Sequence, residues 1–314
     1  MDPFIDLVQL LRPQAMIWGA IWARGHWRVS FRERHDLLFF RVDSGNCQFH
    51  WPGVEPLILA PNDVVLVRAC ASFSLASDPD AEPVDSWALR KREMQVGDGD
   101  GEPVVVRGGR FVFETANEEI LIGLLPPIVH IVSGQASSDR VRTLLAMTEA
   151  ECFAPGSASQ FVNARLTELL LVELLRSGVL ATQSAQAGLL RGLADPVTAQ
   201  ALQSLHGNIA QQWTTAKLAR LCGMSRSGFS LHFTTVVGIP PIRYLQRWRM
   251  AVAKDELLRG QRRVAEIALL VGYQSGDAFS TAFTRAVGCS PTRFAGYPPS
   301  PAPPAGSATS SRLY

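Results

Sequence analysis

Apolar and polar residues alternate with a period of two along most of the first third of the chain. Val29 and Phe31 flank a polar residue, and Cys47, Phe49 and Trp51 alternate with polar neighbours. This period predicts strands with one buried face. The predicted strands, which follow a short helix at 4–11, lie near residues 29–31, 37–42, 47–51, 57–59, 65–67, 73–75, 85–91, 103–106 and 111–114. Turn residues separate them at short, even intervals, which is typical of a small barrel or jelly roll.

The apolar period lengthens to that of a helix after about Asn117. Helices are predicted within NEEILIGLL, at 139–152 and at 157–178. The apolar stripe of the 157–178 helix comprises Phe161, Val162, Leu166, Leu169, Leu170 and Leu174, and Leu171 and Leu175 widen it. A helix with so wide a stripe buries more than one side. Two interpretations stay open for it, an interface between the subunits of a homodimer and packing within the domain.

Composition marks the boundaries between the predicted regions. Residues 181–188 are small and polar, as expected of a linker. Asp195 and Pro196 supply an N-cap and a first-turn proline for a further helix. The tail at 297–314 is rich in Pro, Ser and Ala and is predicted to be disordered.

The last third of the chain contains an internal repeat. The segments GMSRSGFSLHF at 223–233 and GYQSGDAFSTAF at 272–283 both lead from a glycine through polar residues to two phenylalanines four apart. The copies align at an offset of 49 up to the glycine and of 50 beyond it, so one residue is inserted at the start of the second helix of the second copy. The duplication predicts two helix pairs of one design. The insertion predicts a small change in the angle or cap of that helix.

Each copy carries the features of a helix-turn-helix. Ala219 is small enough for the next helix to cross closely, and Gly223 permits a left-handed turn. Ser225 can cap the next helix, whose buried face would be Phe229 and Phe233. The corresponding residues of the second copy are Ala268, Gly272, Ser275, Phe279 and Phe283.

Charge divides the chain at the same point. Residues 207–296 contain 12 Lys and Arg against four Asp and Glu, a formal charge of +8, whereas residues 1–206 carry −7. A basic module joined to an acidic one indicates that the basic module binds a polyanion such as nucleic acid. No apolar run is long enough for a membrane span, and the N-terminus does not resemble a secretory signal. The five scattered cysteines lack CxxC spacing, so we expect an intracellular protein with reduced cysteines.

The repeat and its flanks resemble the DNA-binding domain of the AraC/XylS transcription regulators. The resemblance runs from about Leu205 to Ala295 through WTTAKLARLCGMSRSGFSLHF, GIPPIRYLQRWRMAVAKDELL, VAEIALLVGYQSGDAFSTAFTRAVG and SPTRF. The N-terminal part resembles the cupin-like sensor domain of one subgroup of that family through PNDVVLV, RGGRF and LLPPIVHI.

The resemblance implies an α+β protein, in which a cupin-like β-barrel with helices precedes an all-α double helix-turn-helix domain. The implied regions are a ligand-sensing domain at 1–135, a helical dimerisation or linker region at 136–190, a DNA-binding domain at 191–296 and a disordered tail at 297–314. The implied function is that of a cytoplasmic, nucleoid-associated transcription factor, not an enzyme, which binds promoter DNA and responds to a small-molecule effector. RNA polymerase is a further implied partner, and the choice between activation and repression stays open.

In this family a rigid helix joins the two units, and here it would be IPPIRYLQRWRMAVAKDELLRG, about 25–30 Å long. Such a rod would let one monomer read two successive major grooves. The residues expected to face bases, because they point away from the buried phenylalanines, are Arg226, Ser227, Ser230 and Leu231 in the first unit and Gly276, Asp277, Ser280 and Thr281 in the second. Arg226 could equally contact phosphate. Phosphate contacts are expected from Arg243, Arg247, Arg285 and Arg293, with a merely solvated face as the alternative for the two on the connecting helix.

The cupin-like part departs from the pattern of metal-binding cupins. It has no His-x-His pair, and RACASF follows PNDVVLV where a histidine is expected. We therefore expect no metal and no cofactor. The N-terminal part is rich in aromatic residues, namely Trp18, Trp22, Trp27, Phe39, Phe40, Trp51 and Trp87. These side chains could line a ligand cavity or simply fill the barrel. The candidates for binding a ligand are His35, His50, Trp51 and Arg68.

Three other functions are alternatives to this one: a metal-dependent cupin-fold enzyme with a DNA-binding appendage, a DNA alkyl-repair protein, and a constitutive DNA-binding protein with a ligand-free scaffold. The departure from the metal pattern argues against the first. The dispersed cysteines argue against the second, because such repair needs a reactive cysteine cluster. The third stays open.

Overall fold

The computed structural model describes residues 3–34, 36–91, 95–97, 99–113, 125, 127–181 and 188–296. Four predictions lie outside these ranges in whole or in large part. They are His35 as a ligand residue, the helix within NEEILIGLL, the 181–188 linker and the 297–314 tail.

Helix α1 (Pro3–Leu11) precedes a series of strands in the described part of the N-terminal region. The strands are β1 (Pro13–Ala23), β2 (Arg28–Phe31), β3 (Leu37–Ser44), β4 (Cys47–His50), β5 (Leu57–Leu59), β6 (Val64–Arg68), β7 (Phe73–Ala76), β8 (Pro83–Asp85), β9 (Gln95–Val96), β10 (Val104–Phe113) and β11 (Ile128–Ile131). The predicted helix at 4–11 and the strand series from 29 to 75 are confirmed.

The strands form two sheets that pack face to face. One sheet has the order β11-β6-β3-β10-β1-β9, and the other has the order β5-β4-β7-β2-β8. Inward side chains of both sheets form one cluster, here called the intersheet core. Its centre is four rings, Phe31, Phe40, Phe49 and Phe73, whose contacting centroids lie 4.7–5.8 Å apart. Packed aromatic pairs of this kind add to the stability given by burial alone.

Two strand predictions are wrong in detail. The single strand β10 runs through the region where the sequence predicts strands at 103–106 and 111–114. Gly108 and Gly109 pair with Phe40 and Phe39 of β3, and a Cβ on either glycine would lie within 3 Å of the facing ring. The two glycines therefore make room for aromatic rings inside a strand and do not end it. The strand predicted near 85–91 is only β8, followed by a 3₁₀ turn at Ala88–Lys91.

Helices cover the outer face of the six-stranded sheet. Helices α2 (Ala136–Phe153) and α3 (Ser159–Ala181) confirm the helices predicted at 139–152 and 157–178. Side chains of the sheet, α1 and α3 belong to one buried cluster, which includes Phe39, Leu66, Leu7, Leu11, Leu170 and Leu174. No helix in the described ranges is both long and apolar enough to cross a membrane.

The described C-terminal region is helical throughout. Its helices are α4 (Leu189–Ala194), α5 (Pro196–Gly207), α6 (Thr215–Leu221), α7 (Arg226–Val237), α8 (Pro241–Arg259), α9 (Val264–Leu270), α10 (Gly276–Val287) and α11 (Pro291–Gly296). Helices α6 and α7 form the first helix-turn-helix unit, α9 and α10 form the second, and α8 connects them. Asp195 caps α5 as predicted, since its side chain accepts from the Thr198 N–H at 2.8 Å.

The turns of the two units begin in the same way. Gly223 and Gly272 both have a left-handed backbone, with φ of 67° and 84°. The residue after each glycine donates its N–H back to Ala219 or Ala268, at 2.9 and 2.8 Å. The inserted residue of the second copy falls in the turn and not at the start of the helix, because α7 and α10 both have 12 residues. The serine cap is kept in both units, but the backbone of the cap residue differs, with φ of −66° at Ser225 and −149° at Ser275. The predicted small change at the cap is therefore present, and the predicted change in helix angle stays a prediction.

Each unit packs against a different part of α8. Tyr244, Trp248 and Ala251 belong to the cluster that contains the α1 and α3 leucines, here called the shared core. Met250, Ala253 and Leu257 belong to a separate cluster with Phe279 and Phe283, here called the second-unit core. The first unit and the N-terminal region therefore share one hydrophobic core.

Polar contacts also join α1 to the C-terminal helices. The buried ring of His206 has its Nδ1 3.0 Å from Asp6 Oδ2 and its Nε2 2.8 Å from Tyr244 Oη. Burial, helped by the charge of Asp6, raises the pKa of Tyr244, so its hydroxyl stays protonated. Arg12, at the end of α1, donates to the carboxylate of Asp255 on α8 at 2.8 Å.

Candidate nucleic-acid interface

Helices α7 and α10 each turn one face to the interior and one face outward. Ser225 Oγ accepts from the Gly228 N–H and Ser275 Oγ accepts from the Ala278 N–H, both at 3.2 Å. These serine caps satisfy donors that a helix start would leave unpaired. The phenylalanine pair on the inner face of each helix is fully buried. Both helices are thus fixed at their starts and anchored along their backs.

The outer face of α7 carries the four residues predicted from the sequence. Arg226 and Ser227 are exposed in the first turn, Ser230 is half-buried, and Leu231 is 71% exposed. A leucine so exposed gains nothing from the fold, so it is free to contact another molecule. Arginine can donate two hydrogen bonds to guanine, and an apolar side chain can contact the methyl group of thymine. The structure thus brings four groups of suitable chemistry together on one open surface.

The outer face of α10 is poorer in such groups. Asp277 and Thr281 are exposed, and Gly276 and Ser280 are half-buried. Thr281 Oγ1 donates to the carbonyl of Asp277 at 3.0 Å, so its hydroxyl can offer an approaching base only an acceptor. The Asp277 carboxylate lies in the first turn, where the helix dipole favours negative charge, and it can accept from cytosine N4. The two helices therefore present different chemistry from the same position in each unit.

Arginines surround these two faces. Those predicted to contact phosphate are Arg243, Arg247, Arg285 and Arg293, of which all but the half-buried Arg247 are exposed. Within the described part of the chain, none of the four forms an ion pair with an acidic side chain. Nearby, Arg259 is paired with Asp255 and Arg262 with Glu256. The unpaired arginines leave positive charge at the surface that can attract phosphate.

Helix α8 connects the two units. Helix α8 has 19 residues between Pro240 and the left-handed Gly260, as the sequence predicts. At 1.5 Å per residue its length is about 28 Å, which is close to one turn of duplex DNA.

Sequence reasoning missed one buried residue of this region. Arg249 lies on α8 between the buried side chains of Trp248 and Met250 and is itself buried. Its guanidinium donates to the carbonyls of Ile209 and Gln211. The signal for it was present, because position 249 falls on the apolar stripe of α8, where an arginine requires internal partners.

The predicted ligand residues of the N-terminal region lie on three different faces. Trp51 is at the edge of the intersheet core, with its ring 6.3 Å from that of Phe49. His50 follows Phe49 on β4 and so points to the outside of the five-stranded sheet. Arg68 follows Val67 of the intersheet core and so points to the helix-covered face of the other sheet. The structure does not bring these three into one cluster, and their role in ligand binding stays a prediction.

An open cavity of about 410 Å³ lies between β1 and the turn that joins α2 to α3. Met16, Glu151, Cys152 and Asn163 are among the residues that line it. Asn163 Nδ2 donates to the sulfur of Cys152 at 3.2 Å. Its volume matches that of small-molecule sites, but it is a groove open to solvent and would leave much of a bound molecule exposed. Across the described residues, no group of three or more His, Cys, Asp or Glu side chains could hold a metal ion.

Comparisons with known proteins match the same two regions. The family described as "Cupin" matches residues 2–179, and the family described as "Helix-turn-helix domain" matches residues 218–296. A "Putative AraC-like transcription regulator" of Streptomyces lividans is 36% identical over 304 residues, which cover 96% of this chain and 100% of that one. A relative of the same description from Streptomyces antibioticus is 36% identical, covering 95% and 99%. Among solved structures, the C-terminal domain of AraT, a response regulator from Geobacillus stearothermophilus, is 31% identical and covers 32% of this chain and 85% of its own, with a TM-score of 0.32.

The relatives described as AraC-like transcription regulators match this chain along nearly their whole length. This does not favour a metal-dependent cupin enzyme. The helix-turn-helix match covers both recognition helices and the helix that connects them. The chain therefore belongs to the AraC-type family of transcription regulators, with a cupin region at its N-terminus and a DNA-binding helix-turn-helix region at its C-terminus.

Proposed function

We propose that this regulator binds promoter DNA by inserting α7 and α10 into two successive major grooves of one duplex. The observation that carries the proposal is the pair of equally capped, outward-facing helices at the two ends of a 19-residue helix. The regions that perform the separate tasks would be 1–135 for sensing, 136–190 for subunit contact and 191–296 for DNA binding, with 297–314 as a disordered tail.

The roles of the side chains follow from their chemistry. Arg226 reads a guanine, Leu231 contacts a thymine methyl, and Asp277 accepts from a cytosine amino group. The hydroxyls of Ser227, Ser230, Ser280 and Thr281, beside Gly276, add weaker contacts. The phosphate contacts are those of Arg243, Arg247, Arg285 and Arg293, which fix register without reading sequence.

A small-molecule effector acting on the N-terminal region would control this binding. The cavity beside β1 supports this part of the proposal, and the shared core offers a continuous packed connection to the first unit. Thermal-shift screening of the purified chain against small metabolites tests it. A shift with no compound would favour a constitutive DNA-binding protein instead.

Two copies of the chain would pair through α3. Phe161 is 68% exposed and Leu169 is 54% exposed, two turns apart on one outer stripe of this helix. Leu170 and Leu174 fill the shared core from the inner side, so the wide apolar stripe can serve both purposes. Sedimentation of the purified chain tests this, and a monomer at all concentrations would contradict it. RNA polymerase enters the proposal as the protein on which a promoter-bound regulator acts.

Selection of bound duplexes from a random pool tests the reading of DNA. With the selected site, Arg226→Ala should lose about 1–3 kcal/mol of binding free energy and relax base preference at one position. The contrast variant Arg243→Ala should weaken binding to all duplexes alike and reduce the salt slope by about 1. No salt-sensitive, sequence-selective binding by the wild type would refute the proposal. Unchanged affinity and footprint in Arg226→Ala would remove that residue from the contacts.

A further inference from the structure

The equivalent turns of the two units have different surroundings. Gly223 of the first unit is exposed, and a Cβ added there would meet nothing within 4 Å. Gly272 of the second unit is buried, and a Cβ there would lie 2.6 Å from the carbonyl oxygen of Ala210 and 2.6 Å from an Arg249 Nη2 atom. The two glycines have similar left-handed conformations, so the difference at the glycine comes from what covers the second turn.

The cover is a loop of the first unit, at 208–213, which joins α5 to α6. Gln212 Nε2 donates to the carbonyl of Gly272 at 2.7 Å, across 60 positions of the chain. The loop is shaped by its own hydrogen bonds, in which Trp213 donates from its backbone N–H to Gln211 and from its indole to Asn208. Lys217 Nζ also donates to the Gln212 carbonyl, at 2.8 Å. These hydrogen bonds hold the loop in one conformation and attach it to α6, so the loop can fix the position of the second unit relative to the first.

Arg249 fixes this loop from the side of α8. Its Nε and Nη2 donate to the Ile209 carbonyl at 3.1 and 2.9 Å, and Nη2 donates to the Gln211 carbonyl at 2.8 Å. Its guanidinium carbon lies 5.9 Å from the ring centroid of Tyr273, the residue after the turn glycine. A buried guanidinium needs acceptors, and the rigid fork of arginine matches two adjacent carbonyls as lysine cannot. With 9% of its surface exposed, Arg249 cannot serve as a phosphate contact in this conformation.

The second unit needs such a contact because its core is separate. The second-unit core and the shared core meet along α8, where Val252 packs against both. A single helix joining two clusters permits bending and twisting between them. The contact of the loop with Gly272 closes a second connection between the units, beside the helix.

We propose that Arg249 and Gln212 are positioning residues that fix the angle and distance between the two recognition helices by tying the 208–213 loop to the turn at Gly272. This inference rests on the proposed function, in which both helices read one duplex. It adds that the selectivity of the regulator for the spacing of its two half-sites comes from this tie as well as from α8.

The test compares full-length variants on duplexes whose half-sites are separated by the selected spacing or by one base pair more or fewer. The wild type should discriminate against the altered spacings by roughly tenfold or more, since one base pair rotates the second groove by about 35°. Gln212→Ala should reduce that ratio to within about threefold and leave binding to a duplex with only the first half-site unchanged. The matched control is Gln211→Ala, whose exposed side chain is not in the tie while its backbone carbonyl still accepts from Arg249.

A glycine pair gives an independent second measurement. Gly272→Ala and Gly223→Ala both place a side chain in a left-handed backbone, but only the former forces the loop away. Gly272→Ala should lose spacing selectivity, and Gly223→Ala should keep it. Arg249→Met should also lose spacing selectivity. Because this substitution removes a buried charge, the thermal unfolding of the variant is measured alongside. If the variant does not fold, the Gln212/Gln211 and Gly272/Gly223 comparisons test the proposal.

Three results would overturn the proposal, and they are distinguishable. Wild-type spacing selectivity in both Gln212→Ala and Gly272→Ala would overturn it while leaving the proposed function intact. If the variants lose as much affinity for the duplex with only the first half-site as for the duplex with both half-sites, the residues only support folding. Failure of the wild type to select any duplex would remove the proposed function and this inference together.

Discussion

The first helix-turn-helix unit shares its core with the N-terminal region, whereas the second unit has a core of its own. Phe229 and Phe233 lie in the shared core with leucines of α1 and α3. Phe279 and Phe283 lie in the second-unit core, whose members all come from the region of α8 to α11. Two copies of one design have therefore been built into different surroundings.

The difference shows which unit shares its packing with the N-terminal region. Packed side chains continue from α1 and α3 through α4 and α5 into the first unit, and buried polar contacts such as Asp6 with His206 on α5 accompany them. Energetic coupling between distant sites depends on such contiguous contacts. A change in the N-terminal region should therefore reach the first unit through α4 and α5, and the second unit through α8 and the 208–213 loop.

The largest expected effect is the loss of stability when a phenylalanine is truncated in one of the two cores. Phe279→Ala should cost about 3–5 kcal/mol, because it leaves a cavity in a small cluster. The loss should be local, with faster amide hydrogen exchange in α9 to α11 and unchanged protection in the N-terminal sheets. Phe229→Ala should cost a similar amount but lower the stability of the N-terminal region as well. The comparison fails if both variants unfold in the same single transition with the same exchange pattern.

A smaller effect is expected from the polar contact of α1 with α5, the helix that precedes the first unit. Asp6→Ala removes the partner of His206 Nδ1 in a buried site, so the free energy of unfolding should fall by about 1–3 kcal/mol. Protection in α5 and α7 should fall with it, and protection in α10 should not. The matched control is Gln9→Ala on the exposed face of α1, which should change stability by no more than about 0.5 kcal/mol. Equal effects of the two substitutions would show that the contact adds no stability.

The smallest effect is a dependence on acid. Asp195 caps α5 and accepts from His232 Nε2 on α7 at 2.9 Å. Burial alone would raise the pKa of Asp195, but the hydrogen bonds from His232 and Thr198 outweigh it and hold the pKa below its ordinary value. A lowered folded pKa means that the carboxylate stabilises the fold above its unfolded pKa of about 4, and that this is lost as pH falls through the folded value.

Denaturant titrations between neutral pH and about pH 3 measure this loss, which should be on the order of 1 kcal/mol or less. Asp195→Asn keeps a residue suited to an N-cap but does not titrate, so the acid response of the first unit should flatten. The same acid response in Asp195→Asn and the wild type would assign it to other groups.

Much of the candidate interface could be predicted because it is local. A cap, a left-handed glycine and two buried phenylalanines depend on residues within a dozen positions of one another, as from Gly223 to Phe233. The outward face of α7 then follows from the helical period. The same reasoning gives the bounds of α8 from Pro240 and Gly260.

Local signals failed where a distant neighbour set the conformation. Gly108 and Gly109 lie between the strands predicted at 103–106 and 111–114, but they form part of one strand because they make room for the rings of Phe39 and Phe40 on β3. The helical period places Arg249 on the apolar stripe of α8, but only the structure shows that its partners are the carbonyls of the 208–213 loop. In both cases the deciding partner is about 40 to 70 positions away in the chain.

The sequence by itself determined the two-region organisation, the duplicated unit and the surface that each recognition helix turns outward, since periodicity, capping and turn chemistry act over short separations. Only the tertiary structure decided that the first unit is fused to the N-terminal region and that the second is tied back through Gly272. Those features depend on burial and hydrogen bonds between residues such as Asp6 and His206, which are 200 positions apart, and no local pattern encodes which distant groups will meet.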